Sequence, residues 1–309
     1  MKLRFSLIQL TIAAFLFSII SCSKENSQAG TPQQEEQASL TSSESDGEAE
    51  MVFNEVFDDA MGVNDQVGMA GTGIFGRNSY GSSVTTITSG ARVDTIPTCV
   101  TVTITHTNYP AIFPIRVVID FGNTGCSCRD GHVRKGKIIN EYTDRLIVPG
   151  AVATSTFDGF YIDSIKVEGT HKITNTSTAN VRQFTVDVID AKLTKPSGNY
   201  TSWSSHKVIT QIQGLGTPDY PRDDVFSIEG SAHGRAKRGD LLVAWESTVT
   251  DPLIKKFECR WIVQGKVRTV RTTSTSSTTW VAVLDYGNGN CDNQATITIN
   301  GTVHQITLH

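Results

Sequence analysis

The chain has 309 residues, a formal net charge of −4 and a hydrophobic fraction of 38%. That length allows one large core or two small ones, and the weak charge, with no Lys/Arg run interleaved with aromatics, argues against a nucleic-acid partner. The charge is unevenly spread: residues 23–65 hold one base against eleven acids, whereas the chain from residue 66 onward holds 24 Lys and Arg against 20 Asp and Glu.

Lys2 and Arg4 precede an apolar run from Phe5 to Ile20 that ends in small residues. This pattern predicts a signal peptide over residues 1–21. The stretch Ser18-Ile19-Ile20-Ser21-Cys22 resembles a bacterial lipobox. The resemblance implies cleavage before Cys22 and acylation of that cysteine, so that the membrane becomes a partner through N-terminal acyl chains. Ser23-Lys24-Glu25 resembles, in part, a surface-export signal of Gram-negative lipoproteins, with Asn26 in place of the second acid. It implies an exported protein anchored in the outer membrane at the cell surface, the alternative being the periplasmic side. No later run is long and apolar enough to span a bilayer as a helix.

Residues 22–47 are rich in Ser, Gln, Glu and Thr and nearly free of large apolar side chains. They are expected to form a lipidated, acidic, disordered tether. Residues 48–92 are expected to hold one short amphipathic helix and a connector. Val52, Phe53, Val56, Phe57, Ala60 and Met61 recur at helical spacing, and Ser45-x-x-Glu48 offers a capping box. The helix is expected to dock on the domain that follows, the alternative being a partner-binding or membrane-lying helix. Gly68 to Ser83 reads as a Gly/Ser-rich connector.

From residue 93 to residue 309 the pattern is β. Val100-Thr-Val-Thr-Ile-Thr, Phe184-Thr-Val-Asp-Val and Ala295-Thr-Ile-Thr-Ile alternate strictly. Asn300-Gly301 is a two-residue hairpin signal. Gly169, Gly230 and Gly265 each follow a β-x pair and mark either turns or bends in long strands. The fold class is therefore all-β: an antiparallel sandwich or a curved open sheet. It divides into two related halves, about 93–200 and 201–309, on the strength of an internal repeat. Asp120-Phe-Gly-Asn123 and Asp285-Tyr-Gly-Asn288 align without a gap, and Cys126 then meets Cys291.

An exported chain can keep disulfides. By analogy between the halves, the expected pairs are Cys99–Cys126 and Cys259–Cys291, with Cys99–Cys128 as the main rival. Asp120, Asn123, Asp285 and Asn288 are candidates for turn-fixing side chains or, alternatively, for calcium ligands. Cys126-x-Cys128 with His132 is half of a zinc site, but Asn293 and Ile297 stand at the matching places of the second cassette. Phe121 and Tyr286 occupy the positions where an aspartic protease needs Ser or Thr. No G-x-S-x-G or H-E-x-x-H motif occurs. No catalytic set, metal or cofactor is therefore assigned. Tyr200 and Trp203, in a polar run, are candidate glycan contacts.

The leader, the acidic segment and the Thr-rich β domain with repeated D-[FY]-G-N cassettes resemble a family of surface-exposed outer-membrane lipoproteins. The resemblance implies no particular activity. The expected role is non-enzymatic, either binding an extracellular protein or glycan or serving a structural purpose. The alternatives are a glycan-binding or glycan-degrading accessory protein and a lipid carrier on a curved sheet.

Overall fold

The structure is a computed structural model that describes residues 31–61, 84–87, 99–128, 131–216, 223–272 and 279–308. One helix, α1 (Pro32–Met61), precedes all the strands. The first eight strands are β1 (Val84–Ile87), β2 (Thr101–His106), β3 (Ile115–Asp120), β4 (Cys126–Ser127), β5 (Val133–Tyr142), β6 (Val152–Ile162), β7 (Ile165–Asn175) and β8 (Gln183–Thr194). The rest are β9 (Tyr200–Gln213), β10 (Val225–Arg238), β11 (Leu241–Lys256), β12 (Ile262–Arg271), β13 (Val281–Asn288), β14 (Gln294–Ile299) and β15 (Thr302–Thr307).

All pairings are antiparallel and nearly all join strands adjacent in sequence. The exception is β4, which pairs only with β5, so that β3 and β5 are direct neighbours. The result is a single sheet whose end strands, β1 and β15, do not pair with each other. Of the two architectures expected, this is the curved open sheet. It runs unbroken through the expected half boundary, where β8 pairs with β9.

The sheet is rolled around α1, which touches β6, β7 and β9 through β14. Twenty of the helix's thirty residues are buried. A surface helix buries one stripe, so burial on this scale means enclosure. The expectation of a disordered tether to residue 47 is corrected here for residues 32–47. The helix begins sixteen residues earlier than Glu48, and Ser39, Ser42, Ser43, Ser45 and Asp46 lie in the interior. Residues 22–30, including Cys22, and the connector over 68–83 lie outside the described residues.

The true helix start has its own sequence signature. Thr31 N–H donates to Gln34 Oε1 at 2.8 Å, and Gln34 N–H donates to Thr31 Oγ1 at 3.4 Å, a reciprocal capping box. Pro32 at the first helical position and Glu35 and Glu36 behind it suit the positive end of the helix dipole. At the other end, the buried Tyr142 hydroxyl donates to the Ala60 carbonyl at 2.7 Å, which satisfies a terminal acceptor. Gly47 sits mid-helix where the wall is close: a Cβ there would lie 3.1 Å from Leu284 Cδ2.

The three β-x-Gly signals at Gly169, Gly230 and Gly265 are bulges rather than turns, each at a register shift. Gly230, at φ +135, shows why the residue type matters, because a Cβ would fall 2.2 Å from the His206 carbonyl oxygen. Bulges of this kind bend and twist a sheet, which lets long strands curl around the helix. Asn300 and Gly301, at φ 49 and 87, form the predicted hairpin turn between β14 and β15.

If residues 31–47 pack as described, a soluble chain beginning at Glu48 should melt at least about 5 °C below one beginning at Thr31, the scale set by about 2 kcal/mol in a domain of this size. Equal melting curves by circular dichroism would show that this half of the helix contributes nothing.

Candidate functional site

The most chemically distinctive region is the boundary between α1 and the inner face of the sheet. The helix carries nine carboxylates and no base, and the strands place cations opposite them. From its N-terminal end to its C-terminal end, Glu35 pairs with Arg271 and Glu36 with His304 at 2.9 Å. Glu48 then pairs with Lys195 at 2.7 Å and Arg238 at 3.1 Å, and Glu50 with Lys207 at 3.0 Å. Glu55 bonds Arg134 at 2.6 Å and Arg260 at 3.1 Å, and Asp58 bonds Lys255 at 2.8 Å. Arg134 and Lys255 are 2% and 0% exposed. Cations buried so deeply persist only when paired. Burial lifts the Glu44 carboxyl above its ordinary range, Glu48 adds to that, and Arg238 and Lys195 pull it back.

Asp46 is the centre of a second kind of contact. Its Oδ1 accepts from the indole N–H of Trp203 at 2.8 Å and of Trp245 at 2.9 Å. Trp203 also stacks on Phe53 with ring centroids 5.7 Å apart. It is 3% exposed, so the expected glycan contact at Trp203 is corrected: the indole faces the helix. The alternating register of β9 sends Trp203 inward. Tyr200, in the same strand, is half-buried under Lys192, whose Nζ lies 5.1 Å from the ring centroid.

A cavity of about 20 Å³ lies beside Glu50, Phe53 and Asn54 of the helix and His171, Val188, Trp203, Ser205 and Lys207 of the wall. His171 is 1% exposed, and burial lowers its pKa to about 3, with Asp187 opposing weakly. At one end of the roll, His132 bridges Asp163 and Arg260 and lies 3.8 Å from Glu55. Asp224 accepts from Gln211 Nε2 at 2.6 Å. Burial, and then Asp223, push its pKa up to about 7 against the pull of Arg182.

On the outer face, Asp187 Oδ1 meets His206 Nδ1 at 2.7 Å, and Ser231 is the next residue across the sheet. The order Asp, His, Ser has the elements of a hydrolytic set. Among the described residues, however, no hydrogen bond joins Ser231 to His206, and both lie on open sheet. No group of three or more His, Cys, Asp or Glu that could hold a metal occurs among the described residues.

The cassettes are turn and strand chemistry. Asp120 Oδ1 accepts from the Gly122 amide at 2.8 Å and Asp285 Oδ1 from the Gly287 amide at 2.9 Å. Each aspartate also faces a lysine on a neighbouring strand, Lys137 at 3.4 Å and Lys266 at 3.5 Å. Those lysines occupy places that a calcium ion would claim. Asn123 and Asn288 follow these glycines, where the chain leaves β3 and at the end of β13. Cys99 is joined to Cys126 and Cys259 to Cys291, the expected pairing. Cys128 is buried and takes no part in either bridge.

The two disulfides mark a protein of a non-reducing compartment. No described helix is long and apolar enough to cross a membrane. Comparison with protein-family models, with curated proteins and with solved structures returns no match. What the fold and site define is therefore a structural class: an antiparallel open sheet rolled around an acidic N-terminal helix.

Two measurements test the interior. Asp46→Ala leaves two buried indole donors unpaired and is expected to cost about 2–4 kcal/mol in denaturant unfolding, with Asp46→Asn costing clearly less because its amide oxygen still accepts. For His171, the unfolded chain takes up a proton near the ordinary value of 6.5 and the folded chain only near 3. The unfolded state therefore binds more protons between those values, and stability falls as pH drops through that window. A His171→Gln variant should show a smaller fall in melting temperature than the parent between pH 6.5 and 4.

Proposed function

We propose that this chain is a lipid-anchored protein of the outer membrane, held by acyl chains on Cys22. Its rolled sheet acts in binding or as a structural element, and not as an enzyme. The observation that carries this reading is the occupied interior. The concave face, where a curved sheet offers a ligand its largest enclosed surface, is filled by α1 and locked to it by ion pairs from Glu35 to Asp58. Contact with an extracellular protein or glycan then falls to the outer face and the turns between strands. The lipobox at Ser18–Cys22 and the two disulfides support export, and the Ser23-Lys24-Glu25 segment supports the cell surface over the periplasmic side.

The alternatives fare less well on the same geometry. A lipid carrier would have to expel α1 and leave Arg134 and Lys255 facing acyl chains. A glycan platform loses Trp203 to Asp46 and keeps Tyr200.

Replacing Cys22 by Ala is expected to move the protein from the membrane to the soluble fraction and abolish incorporation of an acyl label. Protease treatment of intact cells should degrade the parent protein. Retention of the variant in membranes together with acyl label would overturn the anchor. Protection from protease until the outer membrane is opened would place the anchored chain on the periplasmic side.

A further inference from the structure

We propose that the inner face of the sheet carries a belt of buried water-binding sites running from Asn140 to Ser205, closed over by Asn54 of the helix. The belt lies in one register row. Asn140 of β5 pairs with Ser155 of β6, Ser155 with His171 of β7, His171 with Val188 of β8, and Val188 with Ser205 of β9. Their exposures are 0%, 0%, 1%, 3% and 8% in that order, so all five side chains are inside the roll.

Four of the five are polar, and their polar atoms lack hydrogen-bond partners in the protein. These are Nδ2 and Oδ1 of Asn140, Oγ of Ser155, both ring nitrogens of His171, and Oγ of Ser205. On the helix, Asn54 Nδ2 is in the same condition. Each such atom is destabilising when truly unsatisfied, because it gives up its bonds to water and gains none. Four such side chains in one row, interrupted only by Val188, are not a sustainable dry core in a marginally stable fold.

Geometry and chemistry both select water. Side chains directly opposite on paired strands are near neighbours on one face, so one water can bond the polar atoms of two of them. The cavity flanked by Asn54, His171 and Ser205 has about 20 Å³, the room one water needs, and it offers the two to four polar partners a buried water requires. The donors and acceptors are mixed: an amide N–H from Asn54, hydroxyls from the serines, and one donor and one acceptor from a neutral imidazole. Water alone among common ligands of that size both gives and accepts. An ion is disfavoured, because the charged groups lining the cavity, Glu50 and Lys207, already neutralise each other at 3.0 Å.

The test uses the full mature chain in its soluble Cys22→Ala form. Isotope-edited NMR should show direct magnetisation transfer between long-lived water and the His171 ring protons. The alanine variants Ser155→Ala and Ser205→Ala, which remove the hydroxyl and add no volume, give the second readout. In a hydrated belt each removes a partner from a bound water and should lower the melting temperature by about 2–4 °C, as about 1 kcal/mol does in a domain of this size. In a dry belt each removes an unpaired hydroxyl and raises it. Absence of water transfer to His171, or alanine variants that melt higher than the parent, would overturn the proposal.

Discussion

Glu55 and Arg134 lie 2.6 Å apart, with the arginine side chain 2% exposed. Taking a guanidinium and a carboxylate out of water costs several kcal/mol per ion, and their attraction repays this only when the geometry is good. The consequence is a mutual dependence. Without α1, Arg134, Lys207 and Lys255 would lose the carboxylates of Glu55, Glu50 and Asp58. Without the sheet, α1 would be a helix with nine carboxylates and no compensating base. Each is the counter-charge of the other, and the uneven charge along the sequence is the trace of that arrangement. The acidic helix and the described strands fold together into one body.

The pairing also specifies how the sheet lies on the helix. Apolar contacts, such as Phe57 against Phe226 with centroids 6.3 Å apart, supply most of the driving force but tolerate sliding. Ion pairs and the Asp46 fork between Trp203 and Trp245 do not, because each demands a partner at hydrogen-bond distance. A one-residue slip of β9 would turn Trp203 to the outside and Ser204 to the inside. The bulges at Gly169, Gly230 and Gly265 let the strands curl while keeping that register.

Much of the wall was legible in the sequence, because period-two alternation and Asn300-Gly301 are local signals with local causes, and the internal repeat pointed to the cysteine pairs. The Asp120 and Asp285 turns belong to the same class, since an aspartate bonding an amide two residues on needs nothing from the rest of the fold. The first half of α1 was not legible for the opposite reason. A segment such as Ser39 to Gly47 is judged disordered because it has too little apolar surface to bury, and that judgement assumes an apolar core. Here the receiving surface is polar and cationic, contributed by strands 157 to 199 residues away in sequence, as in the bonds from Trp203 and Trp245 to Asp46 and from Arg238 to Ser45. One local cue did exist: Thr31-Pro32-x-Gln34 is a helix start. It points to a helix over Ser-rich sequence that composition alone rejects. Trp203 was misplaced on similar grounds, because a tryptophan in a polar run looks exposed until the strand's phase relative to the helix is known.

The polar interior bears on how such a sheet can remain open. A roll with an all-apolar lining would have to close or dimerise to hide its seam between β1 and β15. In this one the lining is broken by Asn140, Ser155, His171 and Ser205, and the last strand carries Thr302, His304, Gln305 and Thr307. His304 reaches inward to Glu36 at 2.9 Å, so the final edge is tied to the first turns of α1. That contact puts the beginning of the helix and the end of the sheet side by side. Short polar edge strands resist pairing with other chains, and the contact with the helix holds this edge against the body of the fold. The final edge is thus held through the interior, by the same carboxylate helix that neutralises the wall.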